Sequence, residues 1–337
     1  MASKIWVLGE ALMDCVAQPD GSLRPFMGGS PFNLARAAAL RLGGSAALRL
    51  GGNAPVSFIN PLSTDAFGDR MRAQFAADGV QTLLPASRLP TSLAVVQIKN
   101  GQPSYGFYRQ GIADRDYTVE RVLALLKAEQ AGVDYRPTER PVLHTGSLLL
   151  VPPEHDKVVA ILKVAKALGW IISVDVNLRP KLADNLADYL AAVKQVAALA
   201  DWLKASDEDL SLLGFTNPSR GTAGEIAAHF VTQGASRIAL TFGADGAWLQ
   251  VDGQVADANV PPVKLVDTVG AGDTFWGNCL GDWVTVEPKS EAHPTQTSVP
   301  ARERVASTLR NAMIAATINC SRAGCQPPAY EEVQKYG

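Results

Sequence analysis

Nine consecutive residues, Asp267-Thr268-Val269-Gly270-Ala271-Gly272-Asp273-Thr274-Phe275, lie between a β-like run and a long apolar run of helical character. Glycines at such a junction leave the successive backbone N–H groups of Gly270, Ala271 and Gly272 unpaired and convergent, and the helix dipole adds positive potential there. A nest of this kind binds an anion. Asp273 follows it at once, where a carboxylate repels that anion unless it has chemistry of its own. General base catalysis is such chemistry: Asp273 takes the proton of a hydroxyl while the nest holds the phosphoryl group that the hydroxyl attacks. The stretch has no Gly-Lys-Ser/Thr ending, so it is not a P-loop, and Phe275 stands where a dinucleotide fingerprint needs its third glycine. The plain alternative is a glycine turn that only caps a helix.

A hydroxyl-bearing acceptor needs its own contacts. Asp14 follows the first strand pattern and can accept two sugar hydroxyls, Gly28-Gly29 admits a ligand close to the backbone, and Asn33 offers both a donor and an acceptor. Ser30 reads as the cap of a helix that starts at Pro31. Asn177 and Arg179 alternate with Asp175 at a strand end, where α/β proteins bind ligands; a structural salt-bridge cluster is the other reading. Arg109 closes a hairpin pattern and either reaches into the pocket or serves as a solvated charge on an edge strand. Thr241-Phe-Gly243-Ala-Asp-Gly246 is a turn suited to a nucleotide. The acids after Lys204-Ala-Ser206, Asp209 among them, cap a helix or order water around a phosphate-bound Mg²⁺.

The elements that must position these residues follow a βα rhythm. Ile5–Leu8, Val56–Ile59, Val142–Thr145, Trp170–Val176, Trp202–Lys204 and Arg237–Phe242 read as strands. Helices are expected from Pro31, over Asp65 to about Asp78, near Glu154–Leu168, near Leu186–Leu199, after Asp273 and near Arg302–Cys320. Such alternation means a mostly parallel sheet flanked by helices. The hairpin of Thr91–Ile98 and Tyr105–Arg109 interrupts it, and could cover a pocket and exclude water. Segment 43–54 carries no functional reading, and 286–300 reads as an exposed loop.

Composition excludes more than it assigns. With 31 basic against 33 acidic residues and a net charge of −2, the chain has no basic block to follow nucleic acid or an anionic membrane. No apolar run approaches membrane-spanning length, and no signal peptide pattern opens the chain, so a cytoplasmic protein is expected. Its 4 cysteines lack a Cys-x-x-Cys pair, and the 4 histidines form no pair suited to zinc or base catalysis.

Taken in order, Gly9-Glu10…Asp14, Gly28-Gly29-Ser30-Pro31-Phe32-Asn33, Asp65-Ala-Phe-Gly68, Asp175-x-Asn177-x-Arg179, Thr241-x-Gly243 and Asp267-Thr-Val-Gly-Ala-Gly-Asp273 resemble the PfkB or ribokinase-like carbohydrate kinases over essentially the whole chain. Phe107-Tyr108-Arg109, Ala113-Asp114-Arg115, Pro61-Leu-Ser-Thr-Asp65 and His144-Thr-Gly-Ser147 are similar to the bacterial fructokinase branch. The resemblance implies one Rossmann-like αβα sandwich over 1–337, with a small β-sheet lid from segments near 11–27 and 88–118. It implies transfer of the ATP γ-phosphoryl group to a sugar hydroxyl, with Asp273 as base and Gly270, Ala271 and Gly272 as anion hole. Asp14, Gly28, Gly29, Asn33 and Arg109 would hold the sugar, and Thr241, Gly243 and Asn311 would lie near the nucleotide. Asp209 would support the water shell of Mg²⁺, and Asp267 would match a ligand of K⁺. Ser206-Asp-Glu-Asp209 shortens the family's Asn-x-x-Glu, and Pro328 replaces a hydroxyl that some relatives place near the cation. Fructose is the expected acceptor; 2-keto-3-deoxygluconate or nucleoside phosphorylation, and a catalytically silent sugar-binding protein, are the alternatives. Dimerisation through the lid is a family trait that the sequence leaves open.

Overall fold

The computed structural model describes residues 4–44, 55–99, 102–132, 135, 139–285 and 300–336. Most of segment 43–54 and of 286–300, and the tip of the hairpin at Asn100-Gly101, lie outside the described residues.

The strands are β1 (Ile5–Val7), β2 (Leu12–Ala17), β3 (Leu23–Gly28), β4 (Val56–Phe58), β5 (Val80–Thr82), β6 (Ser92–Lys99), β7 (Gln102–Tyr108), β8 (Val142–Gly146), β9 (Ile171–Asp175), β10 (Trp202–Ser206), β11 (Arg237–Thr241), β12 (Ala247–Val251) and β13 (Gln254–Ala258). Nine of them form one sheet in the order β13-β12-β11-β10-β9-β8-β1-β4-β5. From β5 to β11 every pairing is parallel, and β12 and β13 continue the sheet antiparallel. This sheet, with helices on both faces, is the mixed α/β architecture expected. The central strands are apolar on both faces because both are covered: Ile5 and Val7 join one core with Phe32 and Trp276, while Trp6 and Leu8 join the other with Trp170 and Leu162. β1 is flanked by β4 on one side and β8 on the other, so strand order reverses there and a crevice opens beyond its C-terminal end, at Gly9-Glu10.

Local chemistry sets the helix ends. The Ala66–Asp78 helix is capped by Asp65, whose carboxylate accepts from the Gly68 N–H, and it stops at Gly79 in the left-handed conformation. The Leu186–Ala197 helix is capped by Asn185 in the same way. Among the described residues no helix is long and apolar enough to cross a membrane.

Two expectations are corrected. The run before Asp267 is not a strand: residues 259–267 carry no regular structure, because Pro261 and Pro262 remove ladder donors. In its place β12 and β13 form a hairpin about Asp252-Gly253, with Asp252 at φ 50°. Ser30 is not a cap; it is the first residue of the Ser30–Arg41 helix, whose N-cap is Gly29.

A second sheet of four strands runs in the order β3-β2-β6-β7. β2 pairs antiparallel with β3 and parallel with β6, and β6 and β7 form the expected hairpin. It meets the body of the protein where Leu12 and Ala94 pack on Leu148.

Candidate active site

The site is assembled by two helices that touch along small residues. The Ser30–Arg41 helix and the Ala271–Val284 helix pack so closely that a Cβ on Gly277 would stand 2.8 Å from both Ala37 Cβ and the Leu34 carbonyl oxygen. One turn on, a Cβ on Gly281 would meet Arg41 Cγ at 2.7 Å. This seam brings the first turns of both helices together.

At that junction Asp273, 8% exposed, is gripped at both oxygens. Ser30 Oγ donates to Oδ1 at 2.7 Å and Asn33 Nδ2 donates to Oδ2 at 2.9 Å. The carboxylate is therefore fixed in orientation before any ligand arrives, as a base must be to meet a hydroxyl. Asn33 was expected to reach the sugar with both of its polar atoms, but its amide N–H₂ already serves Asp273, leaving Oδ1 without a partner. Ser30 has a role that its position before a proline disguised.

The nest forms as the glycines require. Gly270 takes φ 74° and caps the helix, and a Cβ there would lie 2.2 Å from Cys325 Sγ, so no other residue fits. The Ala271 N–H is spent on the Thr268 carbonyl at 3.2 Å. Among the described hydrogen bonds the N–H groups of Gly270, Gly272 and Asp273 donate to none, so of the expected Gly270, Ala271 and Gly272 only Ala271 has its N–H engaged. Beneath Gly272 lies a cation the sequence reading passed over. Lys204 Nζ sits 3.1 Å from where a Gly272 Cβ would be and donates to both oxygens of Asp175 at 2.9 and 3.0 Å. Burial works against the Lys204 charge, but Asp175, with Asp209 and Asp273 nearby, holds its pKa above the usual lysine range. Asp175 itself is wholly buried, so of the three polar residues at the end of β9 it belongs to the sheet interior.

On the acceptor side, Asp14 extends from β2 towards Asp273. Burial raises its pKa to about 6, the Arg179 charge opposes this, and Asp273, Asp267 and Glu10 reinforce it. A Cβ on Gly28 would be 2.1 Å from Asp14 Oδ2, and one on Gly29, at φ 101°, 2.6 Å from the Glu10 carbonyl oxygen. Both glycines therefore exist to let β3 pass close to Asp14 and β1. Asn177 has φ 38°, a left-handed conformation that asparagine tolerates, and it turns the chain so that Arg179 faces Asp14 and Glu10. Arg109, just past β7, is 8% exposed and lies 4.0 Å from Asp114.

The nucleotide candidates are more dispersed. Thr241 ends β11 and Gly243 follows at φ 53°. Gly246 serves packing: a Cβ there would be 2.0 Å from the Ala258 carbonyl oxygen in the neighbouring hairpin strand. Asn311 is half-buried on the Ala301–Cys320 helix, which packs over β12 and β13.

The metal expectations fare differently. Asp209 Oδ2 accepts from the Ser206 N–H and hydroxyl in a capping box, and Oδ1 accepts from the Leu178 N–H at 2.7 Å. Oδ2 is thus held by the Ser206 cap and Oδ1 by the loop that carries Asn177 and Arg179, so Asp209 ties that loop to the end of β10. Asp267 likewise accepts from Val269 N–H at 3.0 Å and Gly324 N–H at 2.8 Å, which fastens the nest loop to the 319–326 turn. Among the described residues no cluster of three or more His, Cys, Asp or Glu side chains could hold a metal ion. His144 is also structural: its Nδ1 contacts Ser173 Oγ at 3.0 Å, and burial with the Lys204 charge lowers its pKa to about 3.

The pfkB family carbohydrate kinase pattern matches residues 2–332. A fructokinase of Rhizobium leguminosarum bv. trifolii is 31% identical over 272 residues, covering 79% of this chain and 76% of its own. A fructokinase of Escherichia coli is 28% identical over 289 residues, 83% of this chain and 84% of its own. The crystal structure of fructokinase with bound ATP from Xylella fastidiosa superposes with a TM-score of 0.75 at 26% identity, covering 99% of this chain and 98% of that one. The chain belongs to the pfkB family of carbohydrate kinases.

Proposed function

We propose that this carbohydrate kinase is an ATP-dependent fructokinase, converting fructose and ATP to fructose 6-phosphate and ADP. The observation that carries the reading is the Asp273 carboxylate, pre-oriented by Ser30 and Asn33 at the first turn of a helix whose Gly272 and Asp273 N–H groups are free to bind an anion. Base and anion site thus face the same point, as in-line phosphoryl transfer requires. The names of the relatives favour fructose as the acceptor.

In this reading Asp14, Gly28, Gly29 and the free Asn33 Oδ1 hold the sugar so that its O6 meets Asp273. The hydroxyl proton passes to Asp273, O6 bonds to the γ-phosphorus, and the β–γ bridging oxygen leaves with ADP. The N–H groups of Gly272 and Asp273 stabilise the transferring phosphoryl oxygens, with Lys204 adding positive potential below. The nucleotide extends from there to Thr241, Gly243 and Asn311, and magnesium arrives with it as part of the substrate. The four-stranded sheet acts as a lid within a single 1–337 kinase domain, and its outer surface, which exposes Leu23 and Tyr108, is a surface for pairing two copies. ATP as substrate and the free cysteines suit a cytoplasmic setting.

The test is ADP release with Mg²⁺ against fructose, 2-keto-3-deoxygluconate, ribose and adenosine, in wild type and Asp273→Asn. Selective turnover of fructose is expected, with turnover of the variant lower by roughly 10²–10⁴ and both substrates still bound. Preference for another acceptor overturns the fructose reading; undiminished turnover of Asp273→Asn removes the base.

A further inference from the structure

Beside the acceptor site lies a buried charge cluster that the transfer step does not use. Arg109 is 8% exposed, Asp114 2% and Glu10 1%. Asp114 Oδ2 stands 4.0 Å from Arg109 Nη2, close enough to neutralise it but not to hydrogen-bond. Arg109 Nε and Nη2 and both Asp114 carboxylate oxygens are left without hydrogen-bond partners. Asp114 is held in place through its backbone, whose carbonyl accepts from Asn60 Nδ2 at 2.8 Å, while Asn60 Oδ1 accepts from the Gly9 N–H. The cluster connects directly to the base: Glu10 Oε1 accepts from the Ser30 N–H, and the Ser30 hydroxyl holds Asp273. Arg109 is faced by Asp114, Arg115, Glu10 and Glu154, and Glu154 is already paired with Lys157. The other arginine on this side, Arg179, is flanked by Glu10 and Asp14. Burial raises the pKa of Asp114 to about 7 and that of Glu10 above the usual range, with Arg109 opposing both rises, so each guanidinium shares its charge with a carboxyl group that a ligand carboxylate would have to repel or see protonated.

We infer that Asp114, with Glu10, determines acceptor specificity by neutralising Arg109, so that the pocket takes an uncharged sugar and refuses a sugar acid. The inference rests on the fructose reading above and explains what in this chain enforces it. A hydroxyl both donates and accepts, so it satisfies a guanidinium and a carboxylate held side by side. A carboxylate only accepts: it would gain Arg109 but lie against Asp114 and Glu10, and like-charge contact in a buried site is the usual means of rejecting a competitor. Asp114 acts through Arg109 and does not touch the reacting atoms, so it is a positioning residue.

The experiment measures kcat/KM for fructose and for 2-keto-3-deoxygluconate in wild type, Asp114→Asn and the Asp114→Asn/Arg109→Gln double variant. The wild type is expected to prefer fructose. Asp114→Asn should move the ratio towards the acid by about ten- to a hundredfold, and adding Arg109→Gln should abolish the shift. A loss of rate shared equally by both acceptors is what a purely structural Asp114 would give and overturns the inference, as does a shift that survives without Arg109. If Asp114→Asn does not fold, Glu10→Gln carries the same expectation and the same overturning outcome. A wild type that prefers the acid overturns the fructose reading itself and this inference with it; a fructose-preferring wild type whose ratio Asp114→Asn leaves unmoved overturns only the role of Asp114.

Discussion

Asp14 carries the clearest titration at the acceptor site. Its pKa rises from 3.8 to about 6, chiefly by burial, with Asp273, Asp267 and Glu10 adding repulsion and Arg179 subtracting from the rise. A carboxylate accepts two hydroxyl hydrogens, whereas its protonated form gives up part of that capacity. The kcat/KM for fructose should therefore fall as pH drops through about 6, since this ratio reports the free enzyme. Saturating fructose holds Asp14 ionised, so kcat/KM for ATP measured at saturating sugar should stay level over the same window. A fructose profile that is flat from about pH 5 to 8 would remove Asp14 from acceptor binding. The sign for stability is opposite: an acid whose pKa is raised on folding stabilises the fold below the unfolded value of 3.8, and that contribution is lost as pH rises through about 6. Asp14, Gly28, Gly29 and Asp273 stand out in the sequence as candidates because each breaks a local pattern. The bond from Ser30 to Asp273 was not legible, because it joins residues 243 apart in sequence and Ser-Pro before a helix has a sufficient local explanation as a cap.

The elements that hold this geometry are the two helices meeting along Gly277 and Gly281. A side chain at Gly277 has no room, since its Cβ would lie 2.8 Å from Ala37 Cβ and the Leu34 carbonyl, both parts of a buried helix with little freedom to retreat. Gly277→Val should force the helices apart at the turn below Asp273, destabilising the protein by about 1–3 kcal/mol as overpacking does, and lengthening the Ser30 and Asn33 contacts. The expected result is a lower melting temperature together with a fall in kcat larger than the change in KM for ATP. Unchanged kcat in a folded Gly277→Val protein would show that the seam does not set the position of Asp273. The glycine pair four residues apart was a readable signal for such close packing. The parallel strands β1, β4 and β8 to β11 and the helices expected beside them were readable to within a residue or two, because their apolar runs and caps are local; β5 and the Val119–Gln130 and Ala223–Thr232 helices were not read. β2 and β3 were not, since Asp14, Arg24 and Pro25 interrupt their patterns and β2 finds its parallel partner β6 about eighty residues later. The β12–β13 hairpin did carry a local mark, Asp252-Gly253 between two short alternating runs, which the eye passes over beside the stronger glycine loop at 270.

Across the whole molecule the proposed acceptor site is shared between two sheets. Asp14 and Gly28 come from the four-stranded sheet, while Asn33 and Asp273 come from helices on the nine-stranded one. Met13 and Cys15 of β2 lie in one core with Phe32 and Phe275, and Leu12 and Ala94 pack on Leu148 with Phe107 and Leu182 beside them. A sugar bound between Asp14 and Asp273 would add polar links to that apolar packing and offset the mutual repulsion of those two acids. A nucleotide along Thr241, Gly243 and Asn311, as proposed, would contact only the nine-stranded sheet and its helices. Amide hydrogen exchange in β2 and β3 should accordingly slow on adding fructose and change little on adding a non-hydrolysable ATP analogue alone. Both together should slow it most, because the sugar orders the sheet under which the phosphoryl group must be shielded from water. Equal protection by the nucleotide alone would mean that the smaller sheet senses the nucleotide side of the site, and that the sugar is not the link joining the two sheets.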